Sequence, residues 1–119
     1  MIAVIFEVWP AQGRKDDYLG IAGALRADLD RVDGFISIER FQSMSNPEKL
    51  LSLSFWRDEE AVKSWRNQLK HRESQTKGRS GIFTDYRLRV AAVMRDYGLT
   101  ERAQAPKDSH DIHDEQHPR

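Results

Sequence analysis

Apolar residues fill almost every position from Ile2 to Trp9, Glu7 is the only charged residue in the run, and Pro10 closes it. Such a stretch predicts a β-strand, because β-branched and aromatic side chains suit a pleated surface and proline cannot donate to a ladder. Ala11-Gln12-Gly13 then forms a loop. From Arg14 to Val32 the period changes: Tyr18, Ile21, Ala22, Leu25, Leu29 and Val32 recur at spacings of mostly three and four. That spacing predicts one amphipathic helix, ended at Asp33-Gly34, where glycine supplies a left-handed cap.

Phe35 to Ser43 predicts a second strand, Ser45-Asn46-Pro47-Glu48 a turn, and Lys49 to Arg57 a third strand, so short a connection implying an antiparallel hairpin. Asp58 has the chemistry of an N-cap, and Glu59 and Glu60 complement the positive end of the helix that follows. Ala61, Val62, Trp65 and Leu69 form its apolar stripe, and the helix is expected to reach Lys77 with a kink on the way, Gly78 and Gly81 ending it. Tyr86 to Arg95 predicts the last strand. The order is βαββαβ, a ferredoxin-like α+β arrangement with a four-stranded antiparallel sheet, in a domain spanning residues 1–98. Residues 99–119 carry few hydrophobes and are expected to be a polar, mobile tail.

In a sheet covered by helices on one side only, one face should be apolar and the other polar. The first strand departs from that rule. Ala3, Ile5 and Trp9 point one way, Ile2, Val4, Phe6 and Val8 the other, and the last strand is likewise apolar at alternating positions on both sides. A second copy of the sheet is the economical cover for the face without helices, so a homodimer is expected.

Composition narrows the function. The 119 residues contain 19 Lys+Arg and 19 Asp+Glu, so no net field draws the chain to nucleic acid or to an anionic membrane. No apolar run is long enough to span a bilayer, and the N-terminal run, lacking a basic leader, reads as a strand and not a signal peptide. The absence of cysteine removes thiolate nucleophiles and thiolate metal sites and suits a cytoplasmic location. Neither a Rossmann glycine pattern nor a P-loop is present.

Specific local text adds to this. Leu51-Ser52-Leu53-Ser54-Phe55-Trp56-Arg57-Asp58-Glu59-Glu60-Ala61-Val62-Lys63-Ser64-Trp65-Arg66, then His71-Arg72-Glu73-Ser74-Gln75, with Asp33-Gly34-Phe35 before it and Phe83-Thr84-Asp85-Tyr86-Arg87 after it, resembles the antibiotic biosynthesis monooxygenase family. The resemblance covers residues 2–97. It implies a dimeric α/β barrel, two sheets facing each other with helices outside, and a pocket between each sheet and its helices. It implies a cofactor-independent monooxygenase acting on a small electron-rich aromatic. A non-catalytic dimer that binds a small hydrophobic molecule is the alternative, and a heme-binding or heme-degrading protein the third reading.

Candidate residues follow from both lines. Trp65, on the apolar stripe, is placed to stack on a flat ligand or to fill the core. His71 titrates near neutrality and is the acid/base candidate. It lies six residues beyond Trp65, about 120° around an ideal helix, so the two share a pocket only if the helix kinks. Glu7, in an apolar strand, is a second catalytic candidate if desolvation raises its pKa; the alternative is a salt bridge to Arg40, Arg72 or another arginine. Arg72 and Gln75 are candidate substrate-binding residues. In heme-degrading members the resemblance implies an Asn on the first strand, the Trp and an axial His ten residues on; here those positions hold Glu7, Trp65 and Gln75, so that arrangement is not expected. Ser52 and Ser54 share one sheet face, leaving room for a ligand or packing close. The tail histidines His110, His113 and His117 are read as part of a flexible segment, and no metal and no cofactor are expected.

Overall fold

The computed structural model describes residues 1–75 and 81–109, the side chains of 70–75 lying outside that description. The elements are β1 (Ile2–Pro10), α1 (Lys15–Ala24), α2 (Arg26–Asp30), β2 (Phe35–Gln42), β3 (Leu50–Trp56), α3 (Glu59–Gln75) and β4 (Phe83–Ala92). They form one four-stranded sheet in the order β2-β3-β1-β4, every neighbouring pair antiparallel. This is the ferredoxin-like α+β order predicted from the sequence.

The single helix expected over Arg14 to Val32 is divided at Leu25. That residue has φ −83° and ψ −8°, at the flat edge of the helical region, and its N–H is shared between the carbonyls of Ile21 and Gly23. Gly20 and Gly23 weaken the last turn of α1, while the buried stripe continues across the break through Ala22, Leu29 and Val32. The last strand lies earlier than predicted because β1 fixes its extent. Pro10 pairs with Phe83 and Ile2 with Ala92, and Ala11 N donates to Ile82 O at 2.6 Å just beyond one end.

Local chemistry sets the other boundaries. Gly34 has φ +92°, and a Cβ there would stand 2.8 Å from Cβ of Ala61, so the chain passes the start of α3 only with glycine. Arg57 reinforces the approach with two hydrogen bonds to Asp33, 3.1 and 3.2 Å long. Asp58 caps α3 by accepting from Ala61 N at 3.0 Å. The Arg57 guanidinium and this backbone N–H hold the Asp58 carboxyl below its usual value, the backbone bond first. In the β2–β3 turn, Asn46 N donates to Ser43 Oγ at 3.1 Å and Glu48 N to Asn46 Oδ1 at 3.3 Å.

The helices pack on one sheet face through two apolar clusters. Val8, Tyr18, Leu50 and Ile82 form the first, with Phe6 and Ile21 against it. Leu29, Val32, Trp56 and Ala61 form the second, joined by Ile2, Val4, Phe35, Ile38, Val62 and Trp65. Beyond β4, residues 96–109 make a turn-rich segment: Asp96 N donates to Gln104 Oε1 at 2.8 Å, and the Arg102 guanidinium stacks on Tyr97, 5.1 Å from the ring centre. Among the described residues no helix is long and apolar enough to cross a membrane.

Candidate active site

Strand β3 alternates strictly in burial, with Leu50, Ser52, Ser54 and Trp56 buried beneath the helices and Leu51, Leu53 and Phe55 less covered on the other face. Leu50 belongs to the first apolar cluster and Trp56 to the second. The two serines between them are the short side chains of an otherwise bulky layer. On the same face they adjoin Val4 and Phe6, their register partners on β1, and beyond these Leu88 and Val90 on β4. Leu88 and Val90 are 49% and 44% exposed, so the helices leave this layer uncovered on the β4 side.

The hydroxyls differ. Ser54 Oγ accepts from Trp56 Nε1 at 2.9 Å and is committed to holding that indole, which Phe35 meets edge-on at 5.2 Å. Ser52 is 7% exposed, and its hydroxyl has no hydrogen-bond partner among the described residues. Arg40, opposite Ser52 on β2, closes that end of the row.

The predicted residues distribute as follows. Trp65 is half-buried on α3 against the cluster around Trp56, on the helix side of the sheet. The helix runs without a break in its span from Glu59 to Gln75, and on an ideal helix His71 lies about 120° around the axis from Trp65. Arg72, seven residues on, returns to within about 20° of the Trp65 position, and Gln75 lies about 80° from it. The side chains of His71, Arg72 and Gln75, and the tail histidines, lie outside the described residues.

Glu7 is on the other face. Its neighbours Phe6 and Val8 pack with the helix-side core, so the pleat turns Glu7 away from Trp65. Its carboxylate is 3.0 Å from Lys49 Nζ and 3.0 Å from Arg89 NH1, and Lys49 also lies over Trp9, 5.0 Å from the ring centre. The salt-bridge alternative therefore describes Glu7, with Lys49 added to an arginine. The raised pKa is corrected to a lowered one, because hydrogen bonds from Lys49 and then Arg89 outweigh desolvation. The heme arrangement does not fit either, since the Glu7 position is across the sheet from Trp65 and glutamine at 75 has no imidazole. Among the described residues no three His, Asp or Glu side chains are grouped to hold a metal.

Sequence reasoning named Arg40 only as a partner for Glu7. The β2 alternation of Ile38 and Arg40 against Glu39 and Phe41 held the signal that Arg40 lies across the sheet from Glu7, but an apolar pattern on both faces hid which set was inward.

A four-stranded antiparallel sheet with its helices on one face defines the ferredoxin-like class, and the sequence names the family. The profile of antibiotic biosynthesis monooxygenases matches residues 1–77, and the chain belongs to that family. A jasmonate monooxygenase of Pyricularia oryzae is 50% identical over 93 residues, 78% of this chain and 43% of that protein. An uncharacterised Bacillus subtilis protein is 31% identical over 62 residues, 52% of this chain and 53% of its own length. The chain thus spans about half the length of the curated relatives it matches. A heme-degrader from Mycobacterium tuberculosis, solved with two hemes in its active site, shares the fold, with a TM-score of 0.66 at 15% identity over 82% of this chain and 100% of that one.

Proposed function

We propose that this chain is a monooxygenase that binds a small, largely apolar molecule in the helix-side cleft and oxidises it with dioxygen, without a bound cofactor. The observation that carries the reading is the pair of short side chains, Ser52 and Ser54, set between two apolar clusters on the helix side, with Trp65 packed against one of them. Trp65 supplies a stacking wall, His71 proton transfer, and Arg72 and Gln75 contacts to polar groups of the ligand. Glu7 is assigned to the opposite face, where it is ion-paired.

For an electron-rich aromatic such as an anthrone, a base removes a proton from the ring-activated methylene, the carbanion passes an electron to dioxygen, and the radicals couple to a hydroperoxide. Loss of water leaves a carbonyl. The methylene gives up four electrons and dioxygen accepts four, ending as one carbonyl oxygen and one water, so no external reductant is consumed. Oxygen uptake with anthrones and hydroquinones tests this, with His71→Ala expected to lower kcat by about a hundredfold. Binding without oxygen uptake by any of them favours the non-catalytic ligand-binding reading. A Soret shift on adding hemin favours the heme reading.

The 50% identity to a jasmonate monooxygenase favours a second substrate class. Hydroxylating a saturated carbon supplies only half the electrons that dioxygen accepts. Jasmonic acid should then gain one oxygen atom only when a reductant such as NADPH is present, and oxygen uptake that needs the reductant separates the two substrate readings.

The face without helices carries Ile5, Leu51, Leu53, Phe55 and Phe41, the last 43% exposed. That surface supports a homodimer formed sheet to sheet. Sedimentation at micromolar concentration that finds only a 13.8 kDa species would overturn this assembly.

A further inference from the structure

Arg40 follows Ile38 by two residues on β2, and Ile38 packs with the helix-side cluster around Trp56, so Arg40 belongs to the same face. Its register partner on β3 is Ser52, and the row continues through Phe6 on β1 to Leu88 on β4. With strands about 4.8 Å apart, this row runs about 14 Å from a cation, past a hydroxyl, to two apolar side chains. Nε of Arg40 is sealed from solvent and has no hydrogen-bond partner among the described residues. No ion pair engages the guanidinium among the described residues. Ser52 beside it is buried and likewise unpartnered among them. Leaving a sealed guanidinium N–H without an acceptor is costly, and the fold shows it can do otherwise, since Glu7 on the opposite face is given two cations.

We propose that Arg40 and Ser52 form the anion-binding end of the cleft, and that its ligand is an apolar monocarboxylate lying along the row, carboxylate on Arg40 and hydrocarbon over Phe6 and Leu88. The inference rests on the reading of the cleft as the ligand site. A planar guanidinium matches a carboxylate with paired hydrogen bonds. One cation beside one hydroxyl suits a single negative charge, and the half-exposed Leu88 at the far end offers apolar surface for a hydrocarbon to cover.

Isothermal titration of the full chain with decanoic acid and 1-naphthylacetic acid, each beside its methyl ester, tests it. The wild type should bind an acid at least about tenfold more tightly than its ester, and Arg40→Gln should weaken the acid by about ten- to a hundredfold while leaving the ester within about threefold. Arg40→Lys should recover part of the loss. Without ligand, Arg40→Gln should melt no lower than the wild type. A lower melting temperature with an unchanged acid-to-ester ratio overturns the proposal, because the guanidinium would then be holding the fold. Equal binding of acid and ester overturns the carboxylate assignment and leaves the cleft reading intact. Binding of none of the four compounds overturns both.

Discussion

Ser54→Ala removes one oxygen atom from the floor of the cleft, and its cost follows from what that oxygen does. Ser54 is 5% exposed and Trp56 2% exposed, and the indole N–H donates to Ser54 Oγ over 2.9 Å. In the variant the N–H stays buried without its acceptor. A stranded buried donor costs about 1–3 kcal/mol. At about 2 kcal/mol, and about 4 °C of melting temperature per kcal/mol for a chain of this size, Ser54→Ala should melt about 8 °C below the wild type. Urea unfolding measures the free energy directly, and a double-mutant cycle with Trp56→Phe isolates the bond. In the phenylalanine background no donor remains, so Ser54→Ala should cost less than about 0.5 kcal/mol, a coupling of about 1.5 kcal/mol.

Ser52→Ala is the control built into the same strand. Ser52 is buried as a residue, on the same face and of the same kind, but its hydroxyl has no partner among the described residues. Deleting an unpartnered hydroxyl strands nothing, so stability should change by less than about 0.5 kcal/mol in either direction. If the two serine variants lose stability equally, or if Ser54→Ala costs as much beside phenylalanine as beside tryptophan, the distinction between a committed and a free hydroxyl is refuted.

Acid titration probes the opposite face: with Lys49 and Arg89 holding its carboxyl below the ordinary 4.5, Glu7 stabilises the fold at pH values above that figure and loses its contribution as pH falls through its lowered folded pKa. Carbon NMR of the Glu7 carboxyl should give a midpoint under 4.5, Glu7→Gln should flatten the acid limb of the stability curve, and a midpoint above 4.5 would contradict the ion pairs. Gly34→Ala should lose about 2–4 kcal/mol by urea unfolding, from the left-handed backbone and the contact with Ala61 together, because φ there is +92° and the new Cβ would stand 2.8 Å from that of Ala61; a loss under about 1 kcal/mol would show that the turn relaxes.

What the sequence reveals depends on whether a feature is decided locally. Pro10 ending β1, glycine at 34, Asp58 capping α3 and the hairpin through Asn46 are written in single residues whose backbone or side-chain chemistry acts on near neighbours, and each stands where it was expected. The break at Leu25 follows Gly20 and Gly23, and a reading for periodicity passes over it because the buried stripe runs on across it. The limits of β4 are decided by β1, 84 residues away in sequence at Ile5 and Arg89. Face assignment was the least legible. Alternation tells which residues share a face, but with apolar residues on both faces only the packing of Phe6 and Val8 with the helices shows that Glu7 points away from the cleft and Arg40 toward it.

That assignment has an energetic consequence. Glu7 and Arg40 are opposite charges on nearby strands and would neutralise each other if they shared a face; the pleat places them on opposite sides of the sheet instead. Glu7 is matched by Lys49 beside β3 and Arg89 on β4, so this half-buried carboxylate is neutralised within one chain. Arg40 has no such match among the described residues. An anion at that end of the cleft would satisfy the sealed Nε–H of Arg40 and neutralise its charge, which a further apolar group would not do. An apolar ligand without charge would still fill the space over Phe6 and Leu88, but it would leave that N–H without an acceptor.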